Sequence, residues 1–142
     1  MVIKEVRISS EPMAPESDAQ FVRDGLNLYN VGRTGYSEWR PVKLFLRDET
    51  GLIRGGLLGD AWGGWLHVTF LWIEQSLRGK GYGRLLMEAA EAEARDWGCR
   101  YAHLDSHSFQ APEFYARLGY EEFGRLRDSP LGYEQVFMWK RL

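Results

Sequence analysis

The chain has 142 residues, about the size of one domain, and is 44% hydrophobic, 27% charged and 14% aromatic with 16 Gly and 5 Pro, a composition that excludes disordered, collagenous and repeat classes. A formal net charge of -2 argues against nucleic acid or an anionic membrane as a partner held by bulk electrostatics, and makes a focused anion site the feature to look for. The single cysteine, Cys99, rules out an intrachain disulfide, no apolar run approaches the ~18 residues of a membrane helix, and the start MVIKEVRISSEPM lacks a signal-peptide apolar stretch, so a cytoplasmic protein is expected.

In chain order, Val2 to Ile8 alternates apolar and charged side chains and predicts a short edge strand. From about Ser17, the positions of Phe21, Val22, Leu26, Leu28 and Tyr29 predict one or two inward-facing helical turns, ended by Asn30, Gly32 and Gly35. Val42 to Arg47 reads as a strand, Asp48 to Gly51 as a turn, and Leu52 to Gly59 as the returning strand of a hairpin. A second turn, Asp60 to Gly64, leads into Trp65 to Ile73, whose nearly continuous apolarity predicts a central strand covered on both faces. From Gly81 the period changes. Leu86, Ala90, Ala94 and Trp97 share one helical face, Glu88, Glu91, Glu93 and Asp96 cover the rest, and Gly98 stands at the C-terminal cap. Cys99 to Asp105 is a further strand and Pro112 to Leu118 a short helix closed by Gly119. Strands near Glu121 to Leu126 and Tyr133 to Lys140 complete an α/β (mixed α+β) sheet with helices, one domain over 1–142.

The segment LWIEQSLRGKGYGRLLMEAAE carries the chemistry: a strand passes through a loop with Gly79, Gly81 and Gly83 directly into a helix. Glycines allow close backbone approach, the first-turn N–H groups point outward, and Arg78, Lys80 and Arg84 add three cations, which together make a phosphate-sized trap. It is not a dinucleotide fingerprint, because Leu86 stands where the last glycine belongs. It is not a P-loop either, because Lys80 is followed by Gly81 and position 74 is Glu.

Arg78-Gly79-Lys80-Gly81-Tyr82-Gly83 resembles the pyrophosphate loop of the GNAT superfamily of N-acetyltransferases, Arg/Gln-x-x-Gly-x-Gly/Ala. Leu71-Trp72-Ile73-Glu74 is similar to that family's bulged central strand, and Ala111 to Tyr120 to its Ala-x-x-Phe-Tyr-x-x-x-Gly-Phe/Tyr motif. Ser106 to Ala111 resembles a small bacterial-type subgroup. The resemblance implies a twisted mixed sheet whose bulged central strand splays from its neighbour, with the pantetheine arm of acetyl-CoA lying along Leu71, Trp72 and Ile73. The loop Arg78, Gly79, Lys80, Gly81, Tyr82, Gly83 and Arg84 would hold the pyrophosphate, and Ser108 with Ala111 would line the far side. It implies Tyr115 as the acid that protonates the departing thiolate, since a phenol with a reference pKa of about 10 carries its proton at neutrality.

The base is less defined by the residues. The strand offers His67, which alternation places on the face of Thr69, Leu71 and Ile73, and Glu74 follows it; water is the third candidate, and a structural role for His67 stands equally open. His103, Asp105 and His107 alternate on one strand, but without a fourth ligand they argue against a metal site; Asp105 reads better as a carboxylate that attracts a cationic amine. Tyr36, Trp39, Trp62 and Trp65 fit either the wall of an acceptor pocket or the surface of a homodimer. The resemblance implies acetyl transfer to a primary amine of a small molecule by direct attack in a ternary complex. A non-catalytic acyl-CoA sensor and an assembly protein with no CoA affinity are the alternatives.

Overall fold

A computed structural model describes residues 5–142. The chain divides into two units, Met1–Ser37 and Glu38–Leu142.

In the first unit α1 (Glu16–Thr34) is a 19-residue helix, longer than the one or two turns expected. Glu16 and Asp18 in its first turn and Arg33 in its last complement the helix dipole, and Gly35, at φ 75°, closes it by donating its N–H to the Val31 carbonyl at 2.8 Å. The expected inward face is not buried: Phe21, Val22, Leu26, Leu28 and Tyr29 are exposed, because this unit holds no second helix or strand among the described residues. Of the strand expected over Val2 to Ile8, residues 2–4 lie outside the described residues. Glu5 to Ile8 forms none, its alternation having no ladder to join.

The second unit begins with a three-stranded meander. Strand β1 (Arg40–Arg47) turns into β2 (Ile53–Trp62) where the Asp48 carboxylate accepts hydrogen bonds from the Thr50 hydroxyl (2.6 Å), Thr50 N–H (2.9 Å) and Leu52 N–H (3.1 Å). Those bonds, the Thr50 hydroxyl first, hold Asp48 below the usual carboxylate range. The next reversal is tighter than the expected Asp60 to Gly64 turn. Asp60 to Trp62 stay in β2, and only Gly63 and Gly64, at φ 60° and 87°, turn the chain into β3 (Trp65–Ile73), since a two-residue hairpin loop needs positive φ at both positions.

A short 3-10 turn, Gln75–Leu77, precedes α2 (Tyr82–Asp96), which ends in Trp97 and Gly98; the N–H groups of Gly98 and Cys99 bond back to Arg95 (2.9 Å) and Ala94 (2.8 Å). That closure uses Cys99, so β4 starts two residues later than expected, at Tyr101–His107. Helix α3 (Pro112–Arg117) and the hairpin β5 (Glu121–Arg127) and β6 (Glu134–Arg141) complete a six-stranded sheet of order β1-β2-β3-β4-β6-β5, in which only β3 and β4 run parallel.

Helix α2 lies against β1, β2 and β3 and buries Leu86, Met87, Ala90, Glu91 and Ala94, the spacing of a helical stripe. Facing it, Val42, Leu57 and Leu66 have 0% exposure, and each such aliphatic contributes about 1.5–3 kcal/mol of transfer free energy. Two expectations fail here for one reason, that burial depends on partners elsewhere in the chain. Glu91, placed among the surface acids of α2, is 3% exposed and paired with Lys140 of β6. Strand β3, expected to be covered on both faces, buries Leu66 and Val68 but leaves Thr69, Phe70 and Trp72 exposed.

The feature that shapes everything beyond is a β-bulge. Leu58 faces Phe70 but Gly59 faces Val68, so β3 carries Thr69 as one extra residue. Only glycine allows this closeness: a Cβ on Gly59 would stand 2.3 Å from the His67 carbonyl oxygen. Gly59→Ala is therefore expected to lower the unfolding free energy by about 1–3 kcal/mol, the usual cost of forced overpacking, read from its urea midpoint. An unchanged midpoint would show that the bulge does not depend on Gly59.

Candidate active site

Strands β3 and β4 pair only through Trp65, Leu66 and His67 with Tyr101, Ala102 and His103. Beyond the bulge they part. The backbone groups on the β4 side of β3 are left without a strand partner there, the arrangement that an extended amide-bearing ligand can complete. The gap opens into a cleft of about 970 Å³ between β3 and the end of β4, floored by Phe114 and Tyr115 of α3. Its size suits a cofactor-scale ligand.

One end of the cleft is the glycine loop. Gly79 and Gly81 adopt φ 74° and 89°, a left-handed backbone that side chains disfavour, and Gly81 caps α2 with no side-chain hydrogen bond, leaving the first-turn N–H groups free for an anion. Gly83 is required for a different reason: a Cβ there would meet the Phe114 ring at 3.2 Å, so its absence lets α2 and α3 close together. Arg78 and Arg84 line this end. The Arg78 Nε donates to the Ile73 carbonyl at 2.8 Å, which folds the side chain back along the end of β3, and Arg84 pairs with Glu88 at 2.7 Å. Leu71, Trp72, Ile73, Gly79, Gly81, Tyr82, Gly83 and Ala111 all line the cleft.

Two cofactor-side residues are not among those that line it. Lys80 stands outside, and Ser108 instead ties the strand ends together: its N–H donates to the Glu134 carbonyl (2.8 Å) and its Oγ accepts the Glu134 N–H (3.0 Å). The serine that does line the cleft is Ser106, 2% exposed, whose Oγ accepts the Ala111 N–H at 3.4 Å. Sequence reasoning missed it, although its place two residues before Ser108 in the same motif was the available signal.

Tyr115 lies in the cleft wall, edge-on to Phe114 (ring centroids 5.0 Å) and to Tyr120 (6.1 Å). Burial, with a smaller contribution from the negative charge of Asp105, pushes its phenol up to about 12. Asp105 is the only carboxylate among the described residues lining the cleft.

His67 is placed differently from the alternation reading. Leu57 of β2 faces Leu71, whereas Asp60, three residues on, faces His67. An odd separation along β2 means opposite faces of the sheet, so the extra residue at the bulge reverses the alternation, and His67 does not share the face of Leu71 and Ile73. Its ring stacks on that of His103 at 4.3 Å and 5°, beside Trp65, and His67 is not among the cleft residues. Burial first, and the neighbouring His67 second, hold His103 below the ordinary histidine range. Glu74 is held by the Arg54 guanidinium, which also reaches Asp48 at 3.3 Å. His103, Asp105 and His107 are each engaged separately, with His67, Gln135 and Gln110 respectively.

The chain is similar to known proteins. A sequence model described as the Acetyltransferase (GNAT) family matches residues 15–120. Acetyltransferase Atu2258 of Agrobacterium fabrum is 36% identical over 83% of this chain and 85% of its own, and Blasticidin-S acetyltransferase of Streptomyces morookaense is 38% identical over 78% and 84%. The crystal structure of an acetyltransferase from Bacillus cereus superposes with a TM-score of 0.84 at 35% identity, covering 98% of both chains. A bulged strand splayed from its neighbour, a cationic glycine loop at a helix N-terminus and these matches lead to one assignment: the chain belongs to the GNAT family of acetyltransferases and is an acyltransferase.

Proposed function

We propose that the protein acetylates a primary amine of a small molecule with acetyl-CoA, by direct attack while both are bound, and that 1–142 acts as one acetyltransferase domain. The observation that carries this reading is the continuity of the cleft: a β-strand edge without a strand partner, a cationic glycine loop and a half-buried phenol line one space. A small acceptor is supported by the 38% identical relative, which is named for blasticidin-S. The family match over residues 15–120 runs through both units, which supports the single domain. A cytoplasmic setting belongs to the same proposal, in keeping with a buried free thiol at Cys99. No helix among the described residues is long and apolar enough to cross a membrane.

The residues present fit acetyl-CoA. The first-turn N–H groups of α2, with Arg78 and Arg84, are suited to a pyrophosphate, and the edge of Leu71 to Ile73, which has no strand partner on the β4 side, to the amides of a pantetheine arm. When bound, acetyl-CoA supplies the acetyl group and a thiol leaving group. This chain supplies backbone N–H donors along β3 for developing negative charge, at no cost of reorganisation, and holds a proton on the Tyr115 hydroxyl. Arranging both reactants in one cleft removes a further part of the barrier.

Two measurements test the proposal. CoA should raise the melting temperature, and Arg78→Ala should weaken CoA binding by about 1–2 kcal/mol, the loss of one charge-assisted contact. A panel of amines with acetyl-CoA should show thiol release with at least one. CoA stabilisation with no turnover would favour a sensor, and no CoA affinity would favour an assembly role. The same assay places His67. Stacked on His103 and outside the cleft, it is expected not to act as the base, so His67→Gln should leave kcat/KM and its pH profile unchanged. A folded variant with a lower rate and an altered profile would return His67 to catalysis.

A further inference from the structure

The cleft lining carries charge of both signs. Arg78, Arg84 and the start of α2 line it at the glycine loop and Arg117 lines it from α3, while Asp105, on β4, is its only carboxylate among the described residues. A lining with both signs suits two ligands of opposite charge, a phosphate-bearing donor against the loop cations and an ammonium against the single carboxylate.

Asp105 is also held in place. The Gln135 amide on β6, directly across from His107 in the register, donates from Nε2 to Asp105 Oδ2 at 2.8 Å. The Gln135 Oε1 in turn accepts the Ser129 hydroxyl at 2.9 Å, and Ser129 is anchored by its N–H to the Tyr133 carbonyl at 3.1 Å. The hydrogen bonds run in one direction, from Ser129 through Gln135 to the carboxylate. An amide used at both ends has one orientation, so Oδ2 is occupied and Oδ1 carries the remaining acceptor capacity.

We propose that Asp105 is the acceptor-binding residue for a cationic amine, and that Gln135, backed by Ser129 from the β5–β6 loop, is a positioning residue that sets the direction of its carboxylate. This rests on the acetyltransferase reading of the cleft and adds to it the substrate class, a primary amine that arrives as an ammonium ion and releases one proton to solvent before its nitrogen lone pair attacks the thioester. It also makes the β5–β6 loop a determinant of acceptor affinity, because Ser129 reaches the site only through Gln135.

The test is calorimetric titration of spermidine, a primary amine bearing positive charge, into the CoA-saturated full-length protein. Spermidine should bind the wild type. Its affinity should fall at least tenfold in Asp105→Asn, and by about threefold to tenfold in Gln135→Met, which keeps side-chain length but cannot donate. Ser129→Ala, which removes only the backing bond, should give a smaller loss in the same direction. CoA-induced thermal stabilisation should be unchanged in all three, a result that a general structural defect would not produce. Equal spermidine affinity in wild type and Asp105→Asn, or no spermidine binding by a wild type that CoA stabilises, overturns the anchor. A loss in Asp105→Asn with none in Gln135→Met or Ser129→Ala overturns the positioning chain. Failure of CoA to stabilise the wild type instead strikes the reading of the cleft on which the proposal stands.

Discussion

Removing one oxygen atom, in Tyr115→Phe, is expected to cut kcat by roughly 10² to 10⁴, the usual worth of a positioned general acid, while the ring keeps its packing against Phe114 and Tyr120. CoA affinity should fall far less, because the hydroxyl matters most when negative charge develops on the leaving sulfur. The raised phenol, at about 12, sharpens the expectation: the proton is in place across the whole assay range, so Tyr115 should produce no basic limb in kcat up to about pH 10. The same shift has a consequence for stability. Above pH 10 the unfolded phenol loses its proton while the folded one keeps it, so unfolding free energy should decline as pH rises from there towards 12. A variant with near wild-type kcat on its acceptor would show that solvent protonates the thiolate and that Tyr115 is only a wall. Equal losses in rate and CoA binding would assign it to positioning.

The largest loss of stability is expected at a pair that does not itself line the cleft. Lys140 Nζ contacts both Glu91 carboxylate oxygens, at 2.5 and 3.0 Å, and lies 5.5 Å over the Tyr120 ring. The Glu91 side chain is 4% exposed and that of Lys140 22%. Lys140→Met strands a buried carboxylate, at an expected cost of about 3 kcal/mol, the low end of the range for broken buried pairs because the lysine end is partly solvated. For a domain of this size that is a fall of about 10 °C in melting temperature. Replacing both residues, Glu91→Leu with Lys140→Met, should recover most of the loss, since a buried ion pair contributes little net stability over an apolar pair. A double variant as unstable as Lys140→Met would mean that Lys140 acts through Tyr120 packing rather than through Glu91.

What the sequence determined by itself is what short-range chemistry decides. The Asp48 to Gly51 turn, the Gly98 and Gly119 closures and the alternating strands each depend on residues a few positions apart, and the structure has them nearly where expected. The glycine loop was legible for the same reason: three glycines and three cations between a strand and a helix are a local pattern, and most of those residues line the cleft. Gly59 within a strand pattern was a signal that went unread, for glycine there marks a bulge or a close approach.

Tertiary structure alone decided the rest, because side-chain direction and burial are set by partners far along the chain. The alternation of Trp65 to Ile73 looks unbroken in one dimension. Only pairing with β2 inserts Thr69 as an extra residue, turns His67 to the face opposite Leu71, and opens the gap beyond. Glu91 looks like any surface acid on α2 until Lys140, 49 residues later, arrives beside it in the folded sheet. Asp105 and Gln135, 30 residues apart, meet only because β6 pairs with β4. Local propensity extends over a turn or two; the phase of a strand across a bulge, and the identity of a charge's partner, are fixed by non-local packing, which no window along the chain contains.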